Sequence, residues 1–458
     1  MENMIPINGR IAIVDDQIEQ ALPLMRVLSK NNIPYVYYRG NDMNYLPENP
    51  ENDIRILFLD LNLLGGKDNQ PKDIRSTLFS VISRIISPNN YPYVLILWSR
   101  QEKEYKEMLE SLFDNDLQNC APIAIKDYIK SDFFPNFAEN EENEENEYKI
   151  LEELKVILAE LPAYRYLIQW ENCVHNSADV IIQDIFHDFH SHNNWQNNAN
   201  YILDMFAKAY LDKHHKNASL EEKAKASLFF LNDVYYDTLE STIANSKVEN
   251  VAELDYEIEE DQICDIQSKI NGYLFVSKSQ MQINQPGCIF TGTNSNIECV
   301  RCAKEILNSS LNTEDIRNQV KEQFPDIKQQ EAKHLYNQLM KERRDAISST
   351  FLPCGVVVTP VCDYAQKKAK YDRVVMGIII DSCYKQFIDT KSDAIYISPS
   401  YSDGNHERIL VLNYRYFITQ ELRNANDARI LYRVRNTILA EIQSKLARHI
   451  SRQGLMSL

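Results

Sequence analysis

Glycine is scarce in this chain, with 11 in 458 residues. Loops that cradle phosphate through bare backbone need several glycines at short spacing, and no GxxxxGK[ST], GxGxxG or GxSxG pattern occurs. Common nucleotide hydrolases, dinucleotide-binding dehydrogenases and α/β-hydrolases are therefore disfavoured. Long apolar runs are missing too. No segment approaches a membrane-spanning length, and the start MENMIPINGRIAIVDD lacks the charged head and apolar stretch of a secretory leader. The chain reads as soluble and cytoplasmic, with no membrane partner. The nine cysteines, an odd number scattered from Cys120 to Cys383, do not make a disulfide framework and read as reduced thiols. Positive charge is in deficit: 49 Lys and Arg face 66 Asp and Glu, a net charge of −17 that opposes non-specific attraction to nucleic acid or anionic lipid.

What is present is a long chain of ordinary globular composition, 44% hydrophobic and 25% charged, which predicts several folded units. Residues 10–134 alternate β-rich apolar runs with helical patterns. The runs are RIAIVDD (10–16), IPYVYYR (33–39), IRILFLD (54–60), YVLILWS (93–99) and PIAIKDYI (122–129). Near-continuous apolar runs suit strands covered on both faces. Helical spacing over 19–31, 74–86 and 102–114 supplies the crossovers, so the prediction is a doubly wound, five-stranded parallel sheet of the flavodoxin-like kind.

The acidic run NFAENEENEENEY (136–148) reads as a solvated linker. Residues 149–250 carry helical periodicity, with Pro162 starting a new helix. Beyond about 265, strands are predicted over 270–278, 287–292, 354–364, 372–381, 393–401 and 408–419, with a helical insertion over 314–347 and a basic helix over 430–454. The expected organisation is an N-terminal α/β domain (1–137), a linker (138–148), a helical region (149–260) and a mainly β, small barrel-like C-terminal domain with helical insertions (261–458).

Parallel strands deliver their last residues to one edge of the sheet, where open α/β folds place their sites. Here those residues are Asp15 and Asp16, then Asp60, then Ser99, then a lysine. Three carboxylates at one edge repel unless a cation sits among them, and oxygen-only ligation selects a hard ion such as Mg²⁺. This pattern resembles the receiver domain of two-component response regulators. The resemblance implies that Asp15, Asp16 and Asp60 bind Mg²⁺ together with the main-chain carbonyl of Asn62. It also implies that Asp60 accepts phosphate from a histidine kinase, that Ser99 ends the fourth strand, and that a lysine follows the fifth. Lys130 in DYIKSDFF is the preferred lysine and Lys126 the alternative, since the family's Lys-Pro pair is replaced by Lys-Ser or Lys-Asp. Tyr128 stands near the family's switch aromatic, and LNLLGG, with Gly65 and Gly66, matches the turn after the phosphoacceptor strand.

The whole chain is similar to receiver proteins of bacterial antiviral defence phosphorelays of the Detocs type, in which the receiver acts as a phosphate sink. Partners implied are a histidine kinase and a protein effector contacted through the C-terminal domain, with a homodimer among the allowed assemblies. A second reading is a pseudo-receiver scaffold without phosphotransfer. A third makes the C-terminal domain an enzyme built on Cys362 and Asp363.

Other clusters carry weaker readings. His175, and His187, His190 and His192 in FHDFHSH, are read as structural or surface histidines rather than phosphotransfer or metal sites. Cys299 and Cys302 form a CxxC, but Cys354 and Cys362 lack knuckle spacing, so free thiols are favoured over zinc. Arg433, Arg435, Lys445, Arg448 and Arg452 are read as serving internal or protein contacts rather than nucleic acid, which the charge balance disfavours.

Overall fold

Five short apolar segments of the first 130 residues pair side by side in a computed structural model. The structure describes residues 10–64, 70–99, 106–134, 144–187, 194–247, 259–277, 285–292, 301, 313–323, 325, 328–388, 391–404, 406–422 and 427–451. The strands are β1 (Ile11–Asp15), β2 (Tyr35–Arg39), β3 (Ile56–Leu59), β4 (Val94–Ser99) and β5 (Ala124–Ile129), all parallel, in the order β2-β1-β3-β4-β5. The order reverses direction at β1, and β1 and β3 are hydrogen-bonded neighbours, which puts their carboxyl ends together at the topological switch point.

Alternation along each strand divides the core in two. Ala12, Val14, Leu57, Leu59, Leu95 and Leu97 face Ile74, Leu78, Val81 and Ile82 of α2 (Pro71–Ile85) and Leu109, Leu112 and Phe113 of α3 (Lys106–Asn115). Ile11, Ile13, Phe58, Ile96 and Trp98 face Ala21, Leu24, Val27 and Leu28 of α1 (Ile18–Lys30). That second face is completed by Ile150, Leu154 and Ile157 of α5 (Glu144–Ala159) and by Tyr164 and Ile168 of α6 (Pro162–His187). Helices on both faces bury both sides of the sheet, which is why its central strands are apolar at nearly every position. At the other edge of the sheet, Arg10 and Arg55, one residue before their strands, both reach Glu171 of α6, Arg55 at 2.8 Å and Arg10 at 3.4 Å.

The helical stretch continues through α7 (Trp195–Leu211) and α8 (Leu220–Asn245), as its periodicity predicts. The chain divides into two compact units, Met1–Ala199 with Leu231–Asp255, and Asn200–Phe230 with Tyr256–Leu458. The second unit contains an eight-stranded antiparallel sheet running β10-β12-β9-β8-β7-β13-β6, with β11 on β12. Its strands are β6 (Val276–Ser277), β7 (Cys288–Thr291), β8 (Leu352–Val357), β9 (Asp372–Asp381), β10 (Ile395–Ile397), β11 (Tyr401–Ser402), β12 (Glu407–Gln420) and β13 (Arg429–Val434). The sheet curls into a half-barrel: Tyr401 of β11 meets Tyr432 of β13 edge to face at 5.8 Å and stacks on Phe275 at 5.1 Å. The helix Asn436–Ile450 covers the concave core with Leu439, Ile442 and Leu446.

Three sequence expectations are corrected here. Residues 270–275, read as strand, are the end of α9 (Glu260–Phe275), and only Val276–Ser277 pair as strand. The preceding DIQSK already has helical spacing, and a short apolar run cannot by itself distinguish strand from buried helix end. The strand beginning at Cys354 stops at Val357. Residues Val361–Ala365 turn into a short helix after Pro360, which has no N–H to extend the ladder. Finally, the basic helix begins only at Asn436, because Arg429–Val434 is β13, paired with β7 and β6.

Candidate functional site

β1 runs into Asp15, its final residue, and Asp16 follows directly; Asp60 follows the last residue of β3. The backbone joins these ends, with Asp60 N–H donating to the Val14 carbonyl at 2.9 Å. One carboxylate oxygen from each of Asp15, Asp16 and Asp60 lies within 4.8 Å of the others, and all three side chains are buried. The chain leaving β2 approaches closely here, for Gly40 donates to the Asp15 carbonyl at 3.0 Å. A Cβ on Gly40 would come within 2.5 Å of a Leu63 methyl, so a larger residue here would push that side chain aside.

Lys130 completes the cluster. It is the first residue of α4 (Lys130–Phe133), directly after β5, and it is fully buried. Its ammonium donates to Asp15 Oδ2 at 2.6 Å and Asp60 Oδ2 at 2.5 Å. The helix that carries it is held by aromatic packing: Phe133 lies 5.6 Å from Trp98, which also meets Phe58 edge to face at 5.7 Å. Each carboxylate is further tied to backbone. Gln17 N–H donates to Asp15 Oδ1 at 3.0 Å and Asn62 N–H to Asp60 Oδ1 at 3.1 Å.

Burial pushes Asp15 up to about 6 against the attraction of Lys130, with Asp60 adding to the upward shift. Burial likewise raises Asp16, opposed by its hydrogen bond from Gln17. One ammonium among three carboxylates leaves an excess of two negative charges in a buried space. A divalent cation matches that excess, and the all-oxygen donor set fits a hard ion. Asp15, Asp16 and Asp60 are the residues that could hold it. This is the one group of three or more potential ligands that the described residues bring together.

Several of the remaining sequence candidates lie away from this cluster. Lys126 is half-buried and pairs instead with Glu160. Ser99 ends β4 opposite Ile129, while its side chain lies outside the described residues. Asn62 is exposed just beyond Asp60. Tyr128 is half-buried and donates to Glu153 of α5 at 3.1 Å. His175 meets Arg10 at 2.9 Å, and His187 is exposed at the end of α6. Cys354 is buried in β8, whereas Cys362 is exposed with its neighbour Asp363 at 3.9 Å. Lys445 pairs with Glu441 at 2.7 Å, and Arg433 and Arg435 donate to the carbonyls of Pro286 and Tyr273. Arg448 is exposed on the C-terminal helix. Gly65, Gly66, His190, His192, Cys299, Cys302 and Arg452 lie outside the described residues, as does most of the acidic run.

Sequence reasoning passed over two residues that touch the site, Gln17 and Gln20. A signal existed: Gln20 is the polar member of the buried stripe of α1 formed with Ala21, Leu24, Val27 and Leu28. Compared with family models, with curated proteins and with solved structures, the chain matches none of them.

Proposed function

We propose that this protein is a phosphorelay receiver that takes a phosphoryl group from a histidine kinase onto Asp60. The observation that carries the reading is the buried Lys130 ammonium in contact with both Asp15 and Asp60 inside a cluster of three carboxylates at the carboxyl edge of a parallel sheet. A carboxylate oxygen of Asp60 attacks the phosphorus of a phosphoimidazole. The N–P bond breaks, an O–P bond forms to give an acyl phosphate, and the imidazole leaves with a proton from solvent. Lys130 lies where its charge offsets the charge on the phosphoryl oxygens. Mg²⁺ held by Asp15, Asp16 and Asp60, with the Asn62 carbonyl as a further ligand, would supply the rest of that neutralisation. The C-terminal unit then signals by contact with a protein effector, or the chain serves as a phosphate sink in an antiviral defence relay.

Incubation with acetyl phosphate and Mg²⁺, read by Phos-tag mobility and intact mass, tests the reading. Wild type should gain one phosphoryl group. Asp60→Asn should gain none, while its stability stays within about 1 kcal/mol of wild type, because the amide is nearly isosteric and its oxygen still accepts from Lys130. Uptake by Asp60→Asn at the wild-type rate would remove Asp60 as the acceptor. No uptake by wild type from any donor would leave a scaffold acting by protein contact alone.

A further inference from the structure

We propose that Gln17 and Gln20 form a hydrogen-bonded relay between Asp16 and Lys130, so that cation binding at Asp16 is coupled to the hold on the lysine. The inference rests on reading the acidic cluster as a Mg²⁺-assisted phosphoacceptor site. An ammonium has three N–H donors and no acceptor. In the buried Lys130 two of them serve Asp15 and Asp60, and the third meets Gln20 Oε1 at 3.4 Å. That third acceptor is neutral, which leaves Asp16 outside the contacts of the lysine. Gln20 Nε2 in turn donates to Gln17 Oε1 at 2.6 Å, and Gln17 Nε2 donates to Asp16 Oδ2 at 3.4 Å.

The direction of this chain is dictated by its ends. The ammonium can only donate and an ionised carboxylate can only accept, so each amide must turn its oxygen toward Lys130 and its NH₂ toward Asp16. Only side chains that both donate and accept can fill the two positions. Their spacing serves the same end, for residues three apart at the start of α1 lie on one side of the helix. Gln20 is buried while Gln17 is exposed, so the relay runs from the interior to the mouth of the site. It is short in the middle and long at both ends. An Asp16 oxygen turned to a cation leaves the amide of Gln17. Gln17 can then turn away, its grip on Gln20 loosens, and the third N–H of Lys130 becomes available to a phosphoryl oxygen on Asp60. Gln20 is thus a positioning residue for Lys130, and the relay opposes cation binding until Asp16 is drawn off.

Calorimetric titration of the full chain with Mg²⁺ tests this, using wild type, Gln17→Met, Gln20→Met and the double variant, with phosphoryl uptake from acetyl phosphate followed across the same range of Mg²⁺. Each single variant should tighten Mg²⁺ about threefold to tenfold, the worth of one ordinary hydrogen bond, since the contact to Asp16 is long at 3.4 Å. The double variant should bind no tighter than the singles, since either change breaks the same chain, and Gln20→Met, whose ammonium is already free of its third acceptor, should reach half-maximal uptake at about threefold to tenfold less Mg²⁺ than wild type. Unchanged Mg²⁺ affinity in Gln20→Met, or effects that multiply in the double variant, would overturn the relay. Should Gln20→Met fail to fold, the exposed Gln17→Met decides alone: tighter Mg²⁺ supports the relay and unaltered affinity refutes it. If Mg²⁺ tightens as expected but wild type takes up no phosphoryl group, the relay stands and the receiver reading falls.

Discussion

Lys130 carries a full charge with no access to water, a situation that costs several kcal/mol unless partners replace the solvent. Lys130→Ala leaves three carboxylates facing one another. Stability in EDTA should fall by about 3–5 kcal/mol in urea unfolding, with Mg²⁺ restoring much of it, and phosphoryl uptake should slow by about a hundredfold. Lys126→Ala removes only an exposed pair with Glu160 and should cost under about 0.5 kcal/mol and leave uptake as it was. Asp15 makes a separate prediction about pH. Its carboxyl is raised from 3.8 to about 6, so the folded state holds this proton more tightly than the unfolded chain does. The stability this contributes is complete below about pH 4 and is lost as pH rises through about 6, by up to about 3 kcal/mol. Urea unfolding in EDTA between pH 4 and 7 should show this fall beside Asp15→Asn, which lacks it. Saturating Mg²⁺ should flatten the wild-type curve by favouring the ionised form.

At the level of elements, the second face of the parallel sheet is closed by α5 and α6, which follow the acidic run in sequence. Leu154→Ala in α5 should therefore destabilise the N-terminal unit by about 2–5 kcal/mol in urea unfolding, through the lost contacts and the cavity left behind. Mg²⁺ affinity should change little, since Leu154 is not among the residues of the site. A fragment ending at residue 137 bares Ile13, Phe58 and Ile96 where α5 and α6 would cover them, and should bind a hydrophobic dye that the full chain does not. The elements misread from sequence share one cause. The end of α9, the short helix after Pro360 and β13 are all brief, and a stretch of five or six residues does not complete enough turns or alternations to declare its period.

For the whole molecule, a net charge of −17 sets long-range behaviour, and several of the basic residues of the second unit are engaged internally. Lys367 and Lys368 pair with Glu222 and Asp212, Lys445 pairs with Glu441, and Arg433 and Arg435 serve backbone carbonyls within their own unit. No retardation of duplex DNA is expected in a gel-shift assay at about 0.15 M salt, because a net charge of −17 repels the phosphate backbone. A retarded complex at that salt would reveal a local basic surface that outweighs the net charge. Among the described residues, no helix is long and apolar enough to cross a membrane.

The sequence by itself determined the parallel sheet and the acidic edge, because both are local. An apolar run of four to six residues becomes a doubly covered strand wherever helices flank it, and a carboxylate at the end of such a run is carried to the carboxyl edge whatever the strand order. Only the tertiary structure decided between Lys126 and Lys130. Both lie near the end of β5, but the side chain of one emerges toward Glu160 while the next turn of chain folds the other back under Asp15 and Asp60. It also decided that Gln20, an ordinary polar residue in the helical pattern of α1, meets that ammonium from 110 positions away in the chain. Strand order, the curl that brings Tyr401 to Tyr432, and the pairing of β13 belong to the same class. Each depends on which distant surfaces bury one another, and a contact between residues far apart in sequence leaves no periodicity in either neighbourhood.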